Sequence, residues 1–171
     1  PNANNALKYC RRVISVDACH MKSSHKGVLY MATIQTATNN IMPLAFALSD
    51  SAESGPAWAE FLKKLDETCP YIKSAWRTNY SPTQHDDIDD GDYKSDFVFV
   101  SDRQKGLIKA LGDIFPDQLA TNCVQHIKSN VASLFGAKAS EFVFKIASTF
   151  SISEEECLFD TLHKQSPRAA D

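Results

Sequence analysis

Between residues 12 and 48 three strand-like runs follow one another with almost nothing between them, and this limits the possible folds more than any other feature. Residues 12–21 (RVISVDACHM), 28–38 (VLYMATIQTAT) and 41–48 (IMPLAFAL) are rich in β-branched and apolar residues and bounded by polar ones. Links this short join only antiparallel neighbours. Asn39-Asn40, a pair that tolerates positive φ, suits a tight hairpin between the second and third runs. Residues 23–27 close the first hairpin. Pro43 has no amide hydrogen to give to a ladder, so the third strand is expected at the sheet edge, leaving the first free to pair on its other side.

A helix comes next. Ser54 or Gly55-Pro56 begins it, Trp58, Phe61, Leu62 and Leu65 fall on one face, and Pro70 ends it. Trp58 on that face is expected in the core rather than as a stacking platform. Residues 97–100 (FVFV) form a continuous apolar run, as in a strand covered on both faces. A second helix carries Leu107, Leu111, Ile114 and Phe115 and stops at Pro116. Residues 119–124 suggest a fifth strand, and helical patterns follow from His126 and over 140–150. Ser153 before Glu154–Glu156 resembles a capping box.

The first and fourth strands, linked through a helix, should be parallel by a right-handed crossover. Three antiparallel strands followed by βα units describe an α/β, ribonuclease H-like fold. The expectation is a mixed five-stranded sheet of order 3-2-1-4-5 flanked by helices. Residues 10–135 would form this core, with the start of a helical insertion over 136–171. Residues 78–96 lose apolar periodicity and crowd Asp86, Asp87, Asp89, Asp90, Asp92 and Asp96 around Gly91, as in a solvated surface insertion. The alternating ligands of a calcium loop are missing there.

At 171 residues one domain is expected. Lys and Arg number 18 against 21 Asp and Glu, a net charge of −3, which disfavours nucleic-acid binding through a generally basic surface but leaves room for a local basic groove. Five scattered cysteines do not make a secreted disulfide framework and suit a reducing compartment. No run is long and apolar enough to span a bilayer, so no membrane partner is expected. The chain opens at Pro1 and closes at Asp171 in mid-pattern, which suggests a segment of something longer.

Two acidic residues stand out by position. Asp17 lies in the first strand after Val13-Ile14-Ser15-Val16, and Asp102 follows the fourth strand. If the strands are neighbours, the carboxylates repel unless a cation joins them, and oxygen donors favour Mg²⁺ or Mn²⁺. Two such ions activate an attacking water and stabilise a leaving oxygen in phosphodiester cleavage. The plainer alternative is that each Asp caps a turn, or that Asp102 caps the helix behind Arg103-Gln104-Lys105-Gly106. Cys123 and His126 form a Cys-x₂-His pair, half of a zinc site at most. Cys157 and His163 are irregularly spaced for the other half, so zinc is not expected. His126 could instead touch a phosphate. His20, Lys22, His25 and Lys26 crowd the first hairpin, and Arg103 and Lys105 flank Asp102, as cations that position a phosphate backbone or as solvated loop charges.

VISVDACHMKSSHKGVLYMATIQTATNNIMPLAFALSDSAESGPAWAEFLKKL and FVFVSDRQKGLIKALGDIFPDQLATNCVQHIKSNV together resemble the catalytic domain of Mutator-like element (MULE) transposases. The SDRQKGL phrase, a following FP and then CxxH form a specific combination. They cover most of residues 13–131 apart from the acidic insertion. The resemblance implies a ribonuclease H-like DDE site in which two Mg²⁺ ions drive cleavage and transfer of element ends. Asp17 would match the first aspartate and Asp102 the second. Cys123 and His126 would match the CxxH that helps place the scissile strand. It further implies double-stranded DNA as partner, a homo-oligomer in the full-length protein, and a nuclear location.

The third acidic residue of such enzymes lies far downstream, after a helical insertion. Glu141, Glu154, Glu155, Glu156 and Asp160 do not stand in a matching context, so the third ligand is unassigned and the segment alone is expected to be catalytically incomplete. Two alternatives are a domesticated, transposase-derived protein that binds DNA and regulates transcription, and another ribonuclease H-like nuclease.

Overall fold

The computed structural model describes residues 6–22, 26–73 and 95–170. His25, Trp76 and all of the acidic insertion but its last two residues lie outside the described residues. The chain divides into two compact units, Pro1–Thr121 and Asn122–Asp171.

The first unit holds β1 (Cys10–His20), β2 (Val28–Thr36), β3 (Ile41–Ser49), α1 (Gly55–Thr68), β4 (Ser95–Ser101), α2 (Lys105–Ile114) and all but the last residue of β5 (Gln118–Asn122). The five strands form one sheet of order β3-β2-β1-β4-β5. β1 runs antiparallel to β2 and parallel to β4, and β2 is antiparallel to β3. This is the mixed, ribonuclease H-like arrangement that the three short-linked runs and the crossover called for.

Turn chemistry sets the hairpin between β2 and β3. Asn39 takes φ 67°, and the Thr36 amide donates to the Asn40 carbonyl at 2.8 Å. β3 lies at the edge, and its ladder slips where Ala32 pairs with Ala45 and Thr33 with Pro43, leaving Leu44 as an extra residue. A bulge beside a proline is the local solution for a strand lacking one amide donor.

One face of the sheet carries the core. Ile14, Val16, Tyr30, Ala32, Ile34, Phe97 and Phe99 are buried together with Trp58, Phe61, Leu62 and Leu65 of α1 and Leu107 and Leu111 of α2. Each large apolar side chain so buried contributes on the order of 1.5–3 kcal/mol before chain entropy is charged against it. Tyr30 and Trp58 meet edge to face at 4.7 Å between ring centroids. In β4 the burial is one-sided. Phe97 and Phe99 are enclosed, whereas Val98 and Val100 are only half-buried, so the expectation of cover on both faces is met only in part.

Helix starts follow side-chain caps. Ser54 accepts from the Ala57 amide at the head of α1, with Pro56 in the first turn. Gln104, not Asp102, caps α2 by accepting from the Leu107 amide.

The second unit is helical: α3 (Val124–Phe135), α4 (Ala137–Ser148), α5 (Ile152–Gln165) and the short α6 (Pro167–Ala170). α5 opens on a serine cap two residues earlier than expected, and the box is only half formed, because the Glu154 carboxylate accepts from the Thr149 hydroxyl while the Ser151 amide donates to Thr149 Oγ1. Ser151 accepts from the Glu154 amide at 3.4 Å, because Ser-Ile-Ser-Glu places the acid three residues after that serine. No helix among the described residues is long and apolar enough to cross a membrane.

Candidate two-carboxylate site

The parallel ladder between β1 and β4 positions the site. Val13, Ile14, Ser15 and Val16 pair in register with Val98, Phe99, Val100 and Ser101. Asp17 and Asp102 are the next residue on each chain, one step past the last pair, where β4 ends. Asp102 lies past the end of β4, in the turn that leads to α2; side chains alternate across a strand, so Asp17 shares a face with Val13 and Ser15. That face is opposite the one on which Ile14 and Phe99 meet α1 and α2. Adjacent strands lie about 4.8 Å apart, so Asp17, within β1, and Asp102, just past the end of β4, stand on neighbouring parallel strands.

The local bonds fix both groups. Asp17 is exposed, and its Oδ1 accepts from the Ala18 amide at 2.9 Å. Asp102 is half-buried and accepts from the Gln104 amide at 3.1 Å, forming an Asx turn, while Ser101 Oγ donates to the Asp102 carbonyl. The turn-capping alternative thus holds for Asp102 without excluding a ligand role, because one carboxylate oxygen is enough for the turn.

Behind this turn α1 and α2 touch at their first turns. A Cβ on Gly106 would stand 2.8 Å from Gly55 Cα and 2.9 Å from its nitrogen, so the two backbones meet where only a glycine fits. The SDRQKGL segment is therefore largely architectural: a turn at Asp102, a cap at Gln104, a close crossing at Gly106 and a buried Leu107.

Both acids are oxygen donors and suit a hard divalent cation such as Mg²⁺ or Mn²⁺, which keeps several waters and uses one or two carboxylates. Among the described residues no three His, Cys, Asp or Glu side chains converge as a metal-ligand set. Glu141, Glu154, Glu155, Glu156 and Asp160 all lie in the second unit.

Of the cationic candidates, Lys22, Arg103 and Lys105 are exposed; Lys22 follows the end of β1, and the other two follow Asp102. Cys123 caps α3 without a side-chain hydrogen bond, and His126 lies in its first turn; both are half-buried. Cys157 and His163 are exposed on α5.

Glu53 was not legible as a partner of these residues. It accepts from the buried Trp58 indole at 3.0 Å and faces His20 Nε2 at 3.6 Å. Burial, helped by the Glu53 charge, pushes the nearby Tyr30 phenol up, against a smaller opposite pull from the Ser54 backbone. The only hint in sequence is an acid five residues before a tryptophan, which has no meaning until the chain folds.

No protein-family model matches the sequence, and no curated protein matches it. Two solved structures are similar over nearly the whole chain. The catalytic domain of Mos1 mariner transposase is 10% identical with a TM-score of 0.41, covering 99% of this chain and 92% of that one. A structure of Mos1 transposase catalytic domain and Raltegravir with Mn is 12% identical, also with a TM-score of 0.41, covering 98% and 89%.

Proposed function

We propose that this chain is part of a DDE-type transposase catalytic domain of the Mutator-like kind, which cuts and joins DNA at the ends of an element. The reading is supported by one observation: β1 and β4 pair in parallel up to Val16–Ser101, and Asp17 and Asp102, 85 residues apart, are the next residue on each chain. The SDRQKGL and CxxH phrases supply the family direction.

In this reading Asp17 and Asp102 hold Mg²⁺ or Mn²⁺, and a third acidic ligand is unassigned. Divalent ions bound there supply activation of a water or 3′-hydroxyl and stabilisation of the leaving oxygen. The Asx turn at Asp102 keeps its carboxylate from rotating, and the β1 backbone does the same for Asp17 through the Ala18 amide. Lys22, Arg103 and Lys105 contribute phosphate contacts that orient the strand without reading its sequence. Cys123 and His126 help place the scissile strand, and double-stranded DNA at the element ends is the partner. A nuclear location and a homo-oligomer in the full-length protein belong to the same proposal.

Calorimetric titration of the chain with Mn²⁺ tests it. Binding is expected for the wild type and expected to vanish in Asp17→Ala. Equal binding by the two proteins overturns the pair as a metal site.

A further inference from the structure

A cleft of about 760 Å³ lies between β3 and α1, within the range of roughly 300–1,000 Å³ usual for ligand sites. Tyr30 pairs with Ala47 and Ala32 with Ala45, and both partners on β2 are buried, so the two alanines face the α1 side of the sheet while Phe46 and Leu48 face away. The strand wall of the cleft is therefore two methyl groups and backbone, opposite Phe61 and Leu65 of α1.

β3 is the last strand of the sheet on this side. Among the described residues, the outward amides and carbonyls of its regular stretch, residues 46–49, have no strand to pair with. The α1 lip of the cleft carries two exposed charges, Glu60 and Lys64. Lys64 pairs with Glu67 at 3.0 Å, whereas Glu60 makes no ion pair among the described residues.

We infer that this cleft receives an extended peptide of another protein. Its backbone pairs with β3, every second side chain is large and apolar and enters the space over Ala45 and Ala47, and a Lys or Arg of the peptide meets Glu60. The edge and the depth together select this occupant. A row of open main-chain groups is matched by a strand and not by a helix or a small molecule, and pairing sends alternate side chains to the face where the alanines leave room. A second copy joined antiparallel through its own β3 would bring only Ala45 and Ala47 to that face and leave the cleft empty. The cleft and Asp17 lie on opposite faces of the sheet, so peptide binding does not depend on metal.

A displayed library of random seven-residue peptides, panned against the whole chain, tests this. Enriched sequences are expected to alternate large apolar residues and to carry a Lys or Arg. The strongest of them, synthesised and followed by fluorescence polarisation, should bind Ala47→Phe at least about tenfold more weakly, because the ring fills the cleft. Glu60→Lys should weaken it about threefold, and exchanging the cation of the peptide for Glu should restore that loss. N-methylation of the alternate peptide amides that face β3 should abolish binding, and of the intervening ones should not. Enrichment of no peptide, undiminished binding to both variants, or equal tolerance of all N-methyl positions overturns the assignment. So does a concentration-dependent dimer that Ala47→Phe abolishes, which gives the edge to a second copy. An unchanged or raised thermal transition shows that Ala47→Phe is folded; should it fail to fold, Glu60→Lys, at an exposed position, and the N-methyl series carry the test.

Discussion

At the scale of single residues, substitution can separate the turn that Asp102 caps from the metal-binding role proposed for it. Its Oδ1 accepts from the Gln104 amide, and an asparagine keeps that acceptor while removing the charge. Asp102→Asn is therefore expected to unfold within about 0.5 kcal/mol of the wild type while losing Mn²⁺ binding; Asp102→Ala should lose the binding and about 1 kcal/mol besides. Chemical denaturation beside metal titration reads both quantities. The cysteines separate as sharply. Burial pushes the Cys69 thiol up, so little thiolate forms near neutral pH, whereas Cys19 and Cys157 are exposed. A thiol-reactive dye at pH 8 is expected to label Cys19 and Cys157 rapidly and Cys69 only after denaturant is added, with peptide mapping to identify the sites.

At the scale of elements, the α1–α2 crossing makes unequal demands on its two glycines. A methyl on Gly106 would strike the Gly55 backbone, while one on Gly55 would meet Gly106 Cα at 3.5 Å, an ordinary contact. Gly106→Ala is expected to cost about 1–3 kcal/mol through overpacking. Gly55→Ala should be neutral or slightly stabilising, since alanine suits a helix better. Thermal denaturation of the two variants checks the asymmetry. The strands and both helices of this unit were legible because their apolar spacing, caps and prolines all agree, as Ser54, Pro56 and Pro43 show. The cap of α2 was less so: Asp102 and Gln104 compete for it, and sequence favours the better intrinsic cap. The parallel pairing of β1 and β4, which puts Asp17 and Asp102 on neighbouring strands, was legible from the crossover helix between them. Phe46 had a signal in the alternation of Ala45-Phe46-Ala47-Leu48, which places two large apolar residues on one face, but which face is open depends on where the helices pack.

At the scale of the whole molecule, the apolar interior is unevenly shared. Among the described residues, the buried hydrophobic side chains belong to Pro1–Thr121 except Ala139 and Leu162. Residues 1–121 produced alone are expected to unfold in a single cooperative transition, followed by circular dichroism. Residues 122–171 alone should show little fixed structure, because so short a segment with two small-to-medium buried groups cannot offset its chain entropy. The edge strand has a consequence of its own. With no amide hydrogen at Pro43 and an extra residue at Leu44, the first half of β3 offers an interrupted template, so growth of fibrils by strand addition on that side is blocked there. Only the regular stretch from Phe46 to Ser49 remains adhesive, which makes it the place where a charged substitution would best improve solubility at high concentration.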